Sequence, residues 1–209
     1  MTDGKAKPLG VILAGGLATR MGGGDKGLKP LGSGRLIDEV IARLRPQCAS
    51  LALNANGDPA RFAELGLPVL PDGLPGNLGP LAGVLAGLDF AAERGFSHIV
   101  TAAADTPFFP RDLVARLTEA AEKAGAPIAL AATPGERGLD RHPTFGLWPV
   151  ALREDLRRAL VEGLRKIVLW TDAHGATTAV FPVDPFDPFF NVNTPEDLKE
   201  AEALLEAGT

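Results

Sequence analysis

Short apolar runs alternate with helix-like segments along the first half of the chain, and this alternation limits the possible folds more than any other feature. Residues 9–14 (LGVILA), 50–53 and 97–104 are short and apolar, which is typical of buried strands. Between them, residues 36–48 and 80–93 have apolar side chains at helical spacing or are rich in small residues. Because no hairpin signal separates the runs, the sequence predicts parallel strands joined by crossover helices.

The second half is more mixed. Strands are predicted at 128–132 and 144–148, flanking a polar loop, and again at 177–182. Thr194 and Pro195 predict the start of a terminal helix, after a proline-rich loop. Further elements are predicted as helices at 59–65, 110–123 and 152–162 and a short strand at 68–70. With no linker in view, the prediction is one α/β domain over 1–209, a Rossmann-like three-layer sandwich with helices on both faces of a mostly parallel sheet.

Composition excludes several classes of function. The chain has 209 residues and a net charge of −5, which argues against binding to duplex nucleic acid. Its single cysteine, Cys48, rules out an intramolecular disulfide. No apolar run reaches the length of a membrane span, and the polar start lacks the apolar stretch of a secretory signal. We therefore expect a cytoplasmic protein without membrane or nucleic-acid partners.

A long glycine-rich loop follows the first predicted strand. Residues 13–34, LAGGLATRMGGGDKGLKPLGSG, contain eight glycines, with Arg20, Lys26 and Lys29 against Asp25 alone. Glycines let backbone N–H groups approach phosphate oxygens, and Arg and Lys side chains supply positive charge. The loop matches neither the P-loop nor the dinucleotide-binding pattern. Phosphate binding is therefore one interpretation, and a flexible loop with solvated charges is the other.

Polar residues also follow other predicted strands. NAN at 54–56, PDG at 71–73 and DTP at 105–107 all come directly after apolar runs. In an open parallel sheet, ligands bind outside the carboxyl ends of the strands. We therefore expect these three segments and the glycine loop to face one crevice, although Asp105 alone could equally begin a turn before Pro107.

The glycine loop resembles the signature of a known enzyme family. LAGGLATRMGGGDKGL closely resembles the pattern L-A-G-G-x-x-x-R-M-G-G-x-D-K-x-L of the molybdenum cofactor guanylyltransferases. The resemblance continues, in the family's order, through NAN (54–56), GPLAG (79–83), DTP (105–107), HPT (142–144) and NVNTPE (191–196). Members of that family use GTP and Mg²⁺ to attach GMP to the phosphate of molybdopterin, with release of pyrophosphate.

The resemblance implies roles for individual residues. It implies that Leu13, Ala14 and Gly15 present backbone to guanine and ribose, and that Arg20 and Lys26 bind phosphates. It also implies that Asn54 and Asp72 contact the guanosine, that Gly79 lines the base pocket, and that Asp105 binds both GTP and the metal. We therefore name Arg20, Lys26 and Asp105 as the catalytic residues.

Three residues are assigned to the pterin substrate. His142 lies in a segment that the family places near the pterin, so the resemblance implies contact with substrate, although local packing is the alternative. Asn191 and Asn193 alternate along an extended segment and can point to one face, where their amides suit a polar pterin edge. Turn chemistry before Thr194 is the alternative here. The resemblance thus assigns the nucleotide to residues 1–110 and the pterin side to residues 111–209.

The expected reaction works by positioning and charge, without a covalent enzyme intermediate. The nearest rival is a cytidylyltransferase of the same fold, although the related pterin enzymes resemble LAAG where this chain has LAGG. A sugar-phosphate guanylyltransferase and a nucleotide-binding regulator without catalysis are further alternatives. The implied partners are GTP and the molybdenum cofactor, with contacts to other cofactor-biosynthesis or acceptor proteins as an open possibility.

Overall fold

A computed structural model of the chain describes residues 6–15, 23–76 and 78–208. Seven of its strands form one sheet, and two short strands form a separate hairpin. The strands are β1 (Leu9–Leu13), β2 (Pro30–Leu31), β3 (Gly34–Arg35), β4 (Ser50–Asn54), β5 (Val69–Leu70), β6 (His98–Ala103), β7 (Ala129–Gly135), β8 (Gly138–Pro149) and β9 (Thr177–Val180). The α-helices are α1 (Leu36–Leu44), α2 (Pro80–Glu93), α3 (Leu113–Ala124), α4 (Arg153–Val161), α5 (Ile167–Ala173) and α6 (Pro195–Glu206).

The main sheet is mostly parallel, in the order β5-β4-β1-β6-β8-β7-β9. Strand β1 pairs in parallel with β4 on one side and β6 on the other, and β4 pairs in parallel with β5. Strand β8 is antiparallel to both β6 and β7, whereas β9 is parallel to β7. The predicted α/β class and mostly parallel sheet are therefore confirmed.

Helices cover both faces of the sheet because the side chains of each buried strand alternate between two cores. Ile12 of β1 packs in the core that includes side chains of α1 and α3. Its neighbour Val11 packs on the opposite face, in the core that includes side chains of α2, α4 and α5. Strands β1, β6, β7 and β8 contribute to both cores, which gives the three layers that the alternating pattern predicted.

The terminal helix α6 packs in a third, smaller hydrophobic cluster. Ala201 of α6 packs with Leu31 of β2, Leu36 of α1 and Phe108. The helix begins as predicted: the Thr194 hydroxyl accepts from the N–H of Asp197, whose carboxylate accepts from the N–H of Thr194. This cluster fixes the segment before α6, which approaches the carboxyl edge of the sheet.

The prediction of a polar loop between β7 and β8 is wrong. Strand β7 runs on to Gly135 and β8 begins at Gly138, so the residues form an antiparallel hairpin with pairs such as Thr133 with Asp140. Gly138 has a φ of +128°, which a tight turn accommodates at glycine. Polar composition indicated a loop, but the two strands satisfy their backbone groups across the hairpin while most of their side chains from 134 to 141 are exposed.

Other differences are local. Helix α5 was not predicted, nor was the β2–β3 hairpin, which turns at Gly32 with a φ of +57°. Residues Pro59–Leu65 form a 3₁₀ helix, and α3 begins at Leu113 instead of residue 110. In the part of the chain that the structure describes, no helix is long and apolar enough to cross a membrane.

Candidate active site

The carboxyl ends of four parallel strands meet at one edge of the sheet, as the topology predicts. The N–H of Ala14, after β1, donates to Asn54 O of β4 at 2.8 Å. On the other side, the N–H of Ala104, after β6, donates to Leu13 O at 3.0 Å. The N–H of Ala55 donates to Leu70 O at 3.1 Å, which brings in β5. Side chains that follow these strands therefore share one crevice.

Asp72 is held at this edge by two asparagines. Asn54 Nδ2 donates to Asp72 Oδ1 at 2.9 Å, and Asn56 Nδ2 donates to Asp72 Oδ2 at 2.8 Å. The N–H of Asp72 in turn donates to Asn56 Oδ1 at 2.8 Å. Each carboxylate oxygen thus accepts one hydrogen bond and keeps capacity for another, so the orientation of Asp72 is fixed without a ligand.

Asn54 lies beneath this cluster instead of on its surface. It is only 5% exposed, and its amide also donates to Leu70 O at 3.1 Å. Helix α2 approaches it at Gly83, where a Cβ would lie 2.2 Å from Asn54 Oδ1. Because Gly83 has no side chain, the Asn54 amide fits in the space beside helix α2. This geometry favours a positioning role for Asn54 toward Asp72.

Backbone groups lie open beside this cluster. Leu13 is half-buried and Ala14 buried, whereas Gly15 is exposed, with open space where a Cβ would stand. Gly79 precedes α2 with a φ of +75°, in the left-handed region, and is also exposed. A ligand at Gly15 or Gly79 would meet main-chain groups without obstruction by a side chain at that residue, whereas the Ala14 N–H and Leu13 O are already used between strands.

A second cluster contains charge. Lys26 Nζ lies 2.8 Å from Asp105 Oδ2 and donates to Asn193 Oδ1 at 2.7 Å. The side chains of Lys26 and Asp105 are 15% and 22% exposed. The structure thus brings together residues separated by 79 and 167 positions in sequence. Their partial exposure leaves them accessible to an anionic ligand.

The segment from 183 to 193 carries Asn191 and Asn193. Thr106 Oγ1 donates to Asn191 Oδ1, and the N–H of Val192 donates to Asp105 O at 2.9 Å. Asn193 Nδ2 donates to Asn191 O at 3.3 Å. Asn191 and Asn193 therefore both lie at the Asp105–Thr106 turn, and both are exposed.

His142 lies under the same segment. Its ring stacks on Phe189, with the centroids 4.4 Å apart, and its Nε2 is 2.8 Å from Thr133 Oγ1. Burial lowers the pKa of His142, while the nearby carboxylates of Asp187 and Asp140 raise it by less. The ring is therefore neutral at pH 7. It packs against Phe189, which precedes Asn191 by two residues in the same segment.

Sequence reasoning missed several functional candidates. Asn56 and Thr106 lie inside quoted motifs, but their hydrogen bonds to Asp72 and Asn191 depend on how distant loops meet. Arg61 carried no signal, yet its Nε lies 2.6 Å from Asp25 Oδ2. Arg20, which was assigned to phosphate binding, lies outside the described residues.

The oxygens around Asp105 suit a hard cation. Asp105 Oδ2 and Asn193 Oδ1 both lie within hydrogen-bond distance of Lys26 Nζ. Among the described parts of the chain, Asp105 Oδ1 has only a long contact, at 3.4 Å, from Thr106 Oγ1. Carboxylate and amide oxygens are ligands that Mg²⁺ accepts, and it commonly uses one or two carboxylates with phosphates and water. Among the described residues, no group of three or more His, Cys, Asp or Glu side chains could hold a metal alone.

Comparison with known proteins gives a consistent result. Residues 10–176 match the model of the MobA-like NTP transferase domain. A protein named molybdenum cofactor guanylyltransferase, from Bradyrhizobium sp. (strain ORS 278), is 56% identical over 198 residues, which cover 93% of this chain and 92% of that protein.

Solved structures agree in fold. The molybdopterin-guanine dinucleotide biosynthesis protein A of Archaeoglobus fulgidus has a TM-score of 0.69 and 26% identity, with 95% of this chain and 99% of that chain covered. The 2-C-methyl-D-erythritol 4-phosphate cytidylyltransferase of Thermus thermophilus has a TM-score of 0.70 at 22% identity, over 97% of this chain and 100% of that chain. The latter likeness is one of fold alone.

Proposed function

This chain belongs to the family of MobA-like NTP transferase domains, and we propose that it transfers GMP from GTP to the phosphate of molybdopterin and releases pyrophosphate. Relatives such as the Bradyrhizobium protein, at 56% identity, are named molybdenum cofactor guanylyltransferases. The observation that carries the proposal is the pairing of two clusters at one sheet edge. Asp72 with its asparagines forms the first, and Lys26 with Asp105 and Asn193 forms the second.

The first cluster suits guanine. Guanine presents two adjacent N–H donors, at N1 and N2, which one carboxylate can accept together, and cytosine lacks that pair. Asp72 has one free acceptor position on each oxygen because Asn54 and Asn56 use only one apiece. The exposed backbone at Gly15 and Gly79 suits the base and ribose, and Leu13 and Ala14 lead directly into Gly15. We therefore assign the base to this cluster.

The second cluster suits the triphosphate. Lys26 presents a compact positive charge, and we assign it, with Arg20, to the phosphates. Asp105 would hold Mg²⁺, with phosphate oxygens and water completing its coordination. When bound, the ion neutralises charge that develops on the phosphates. Lys26 would exchange its contacts with Asp105 and Asn193 for phosphate oxygens as GTP enters.

The chemistry is an in-line displacement at phosphorus. An oxygen of the pterin phosphate attacks the α-phosphorus of GTP, a new P–O bond forms, and the bond to the β-phosphate oxygen breaks. Pyrophosphate leaves with the bonding electrons, and Lys26 stabilises its charge. A phosphate monoester is already largely ionised at neutral pH, so the attack needs no catalytic base from the protein.

The pterin is assigned to the far side of the second cluster. Asn191 and Asn193 are exposed, and their Oδ1 atoms accept from Thr106 and Lys26. Asn191 Nδ2 lies on the side of its amide away from Thr106 and is a donor for a substrate, and Asn193 Nδ2, which donates to Asn191 O at 3.3 Å, keeps its second N–H for one. Neutral His142, stacked on Phe189, would border the same site. These residues lie after residue 110, so we assign the nucleotide to the first part of the domain and the pterin to the second.

Substitutions at the second cluster test the proposal. We expect Asp105→Ala and Lys26→Ala to retain the fold but to lose pyrophosphate release with GTP and the pterin substrate by at least about a hundredfold. Asp112→Asn, outside this site, is the control and should leave turnover unchanged. Full activity in either cluster variant, with Asp112→Asn also active, would overturn the assignment.

A further inference from the structure

Arg61 joins the two clusters. It lies in the 3₁₀ helix Pro59–Leu65, after β4, and its Nε is 2.6 Å from Asp25 Oδ2. Its Nη1 donates to Asp58 O at 2.8 Å, and its Nη2 donates to Asn56 O. One planar guanidinium therefore connects the turn that carries Asn56 to the residue directly before Lys26.

The Arg61 side chain is itself held in place. Its guanidinium carbon lies 4.7 Å from the ring centroid of Phe62, which is 1% exposed in the core. At Gly57, where φ is +85°, a Cβ would lie 2.9 Å from Arg61 Nη1. The side chains of Arg61 and Asp25 are only 31% and 13% exposed, so solvent screens their attraction less than that of a surface pair.

Asp25 sets the backbone of Lys26. Asp25 O accepts from the N–H of Leu28 at 3.2 Å, which opens the 3₁₀ turn Lys26–Leu28. In that turn, Gly27 packs closely against Ala104, where a Cβ would lie 3.0 Å from the Ala104 side chain. A lysine has a long flexible stem, so the position of its ammonium depends on how firmly its backbone is placed.

We propose that Arg61 is a positioning residue that acts through Asp25 to hold Lys26 over the phosphates of the nucleotide. This inference rests on the proposed function, because it assigns the phosphates to Lys26. Among the residues that the structure describes, the Arg61 side chain contacts the base cluster only at the carbonyl oxygen of Asn56. Loss of its ion pair should therefore weaken contacts to the distal phosphates more than contacts to the nucleoside.

A double-mutant cycle isolates this ion pair. The variants are Asp25→Asn, Arg61→Gln and the two combined. The control is Arg157→Gln, which breaks an ion pair to Asp89 of the same 2.6 Å length, with Arg157 32% exposed. Calorimetry with Mg²⁺ measures the dissociation constants of GTP and GMP, and thermal unfolding of the free proteins checks that each variant is folded.

We expect each single variant and the double variant to lose about tenfold in GTP affinity, and each to lose less than about twofold in GMP affinity. Arg157→Gln should change neither value. If the loss of GTP affinity in the double variant equals the product of the two single-variant losses, the two residues act independently and the proposal is overturned. An equal loss for GMP and GTP, or no loss for GTP, would overturn it as well.

Two further controls keep the outcomes separate. If Arg61→Gln does not fold, the near-isosteric variant Asp25→Asn tests the proposal by itself. The test is then whether this variant loses more affinity for GTP than for GMP. If the wild type binds CTP more tightly than GTP, the proposed function is wrong. The same cycle with CTP and CMP then still tests whether Arg61 acts on the phosphates.

Discussion

Asp72 shows how single contacts prepare a site for its ligand. Asn54 and Asn56 each donate to a different oxygen of its carboxylate, and Asn54 is itself fitted beneath Gly83 of α2. A carboxylate held in this way loses little orientational freedom on binding, which favours affinity and selectivity. Under the proposed function, the asparagines would act on base recognition through Asp72.

Replacement of Asp72 tests base selection. We expect Asp72→Asn to weaken GTP binding by about 10- to 100-fold, because the amide accepts at only one of the two positions that guanine requires. CTP binding should change by less than about threefold. Calorimetry with both nucleotides measures the ratio, and Asp58→Asn serves as a nearby acidic control. An unchanged ratio of GTP to CTP affinity in Asp72→Asn would rule out base selection by this residue.

At the residue scale, the sequence motifs predicted which residues lie in the candidate site better than they predicted which of those residues contact one another. Lys26, Asp105 and Asn193 were each singled out from the sequence, and the structure brings their polar atoms within 2.8 Å. Arg61 was missed because an arginine in a polar helical segment has no distinguishing pattern. Its meeting with Asp25 depends on the parallel pairing of β4 with β1, which no local spacing encodes.

At the scale of elements, the segment from 183 to 193 is a packed connection. Phe189 is 2% exposed and contacts His142, Phe145 and Phe181, while Phe186 packs edge-on against Phe108. This segment contains the proline-rich loop that the sequence predicts before the terminal helix. Its aromatic side chains pack inward, and its asparagines lie at Asp105.

Truncation of Phe189 tests that description. We expect Phe189→Ala to lower the free energy of unfolding by about 3 to 5 kcal/mol, because it leaves a cavity among three aromatic rings. Val183→Ala, at a side chain that is 40% exposed, should cost less than about 0.5 kcal/mol. Denaturant unfolding followed by circular dichroism measures both. A loss below about 1 kcal/mol in Phe189→Ala would contradict tight packing of this segment.

Elements were predicted well where apolar patterning is strong. Strands β1, β4 and β6 and helices α1 and α2 follow the expected order because their side chains are buried on one or both faces. The hairpin of β7 and β8 was missed since its outer residues, such as Leu139 and Arg141, pair through backbone while remaining exposed. Exposed strands carry little of the period-2 signal on which such predictions depend.

For the whole molecule, two half-buried histidines contribute to the pH dependence of stability. Burial lowers the pKa of His98 and of His142 below the usual 6.5. The unfolded chain therefore binds more protons than the folded chain once the pH falls through about 6.5. Stability from these groups is complete above that pH and is lost below it. Asp155 and Asp172, whose pKa values are lowered from 3.8 by hydrogen bonds chiefly from Trp170 and Arg141, contribute only in a more acidic range.

We expect the free energy of unfolding to decrease as the pH falls from 7.5 to 5.5. The combined variant His98→Gln/His142→Gln should show a flatter dependence over the same range, because two of the groups that take up protons on unfolding are absent. Denaturant unfolding at five pH values measures both slopes. An equally steep decrease in the double variant would assign the dependence to other groups.

The fold as a whole followed from the alternation of strands and helices, except for the direction of β8. Three parallel neighbours, β4, β1 and β6, place their carboxyl ends at one edge, which is where the rule for open parallel sheets predicts a ligand site. The antiparallel insertion of β8 between β6 and β7 brings His142 toward the same edge. The position and direction of β8 depend on packing across the sheet, which the order of apolar runs in the sequence does not specify.

The most direct test of guanylyl transfer is pyrophosphate release by the wild-type protein with the molybdopterin substrate, Mg²⁺ and either GTP or CTP. We expect turnover with GTP, with GMP found on the pterin phosphate, and at least about a hundredfold lower kcat/KM with CTP. Equal or faster turnover with CTP, or no transfer of GMP to the pterin phosphate, would contradict the proposed function.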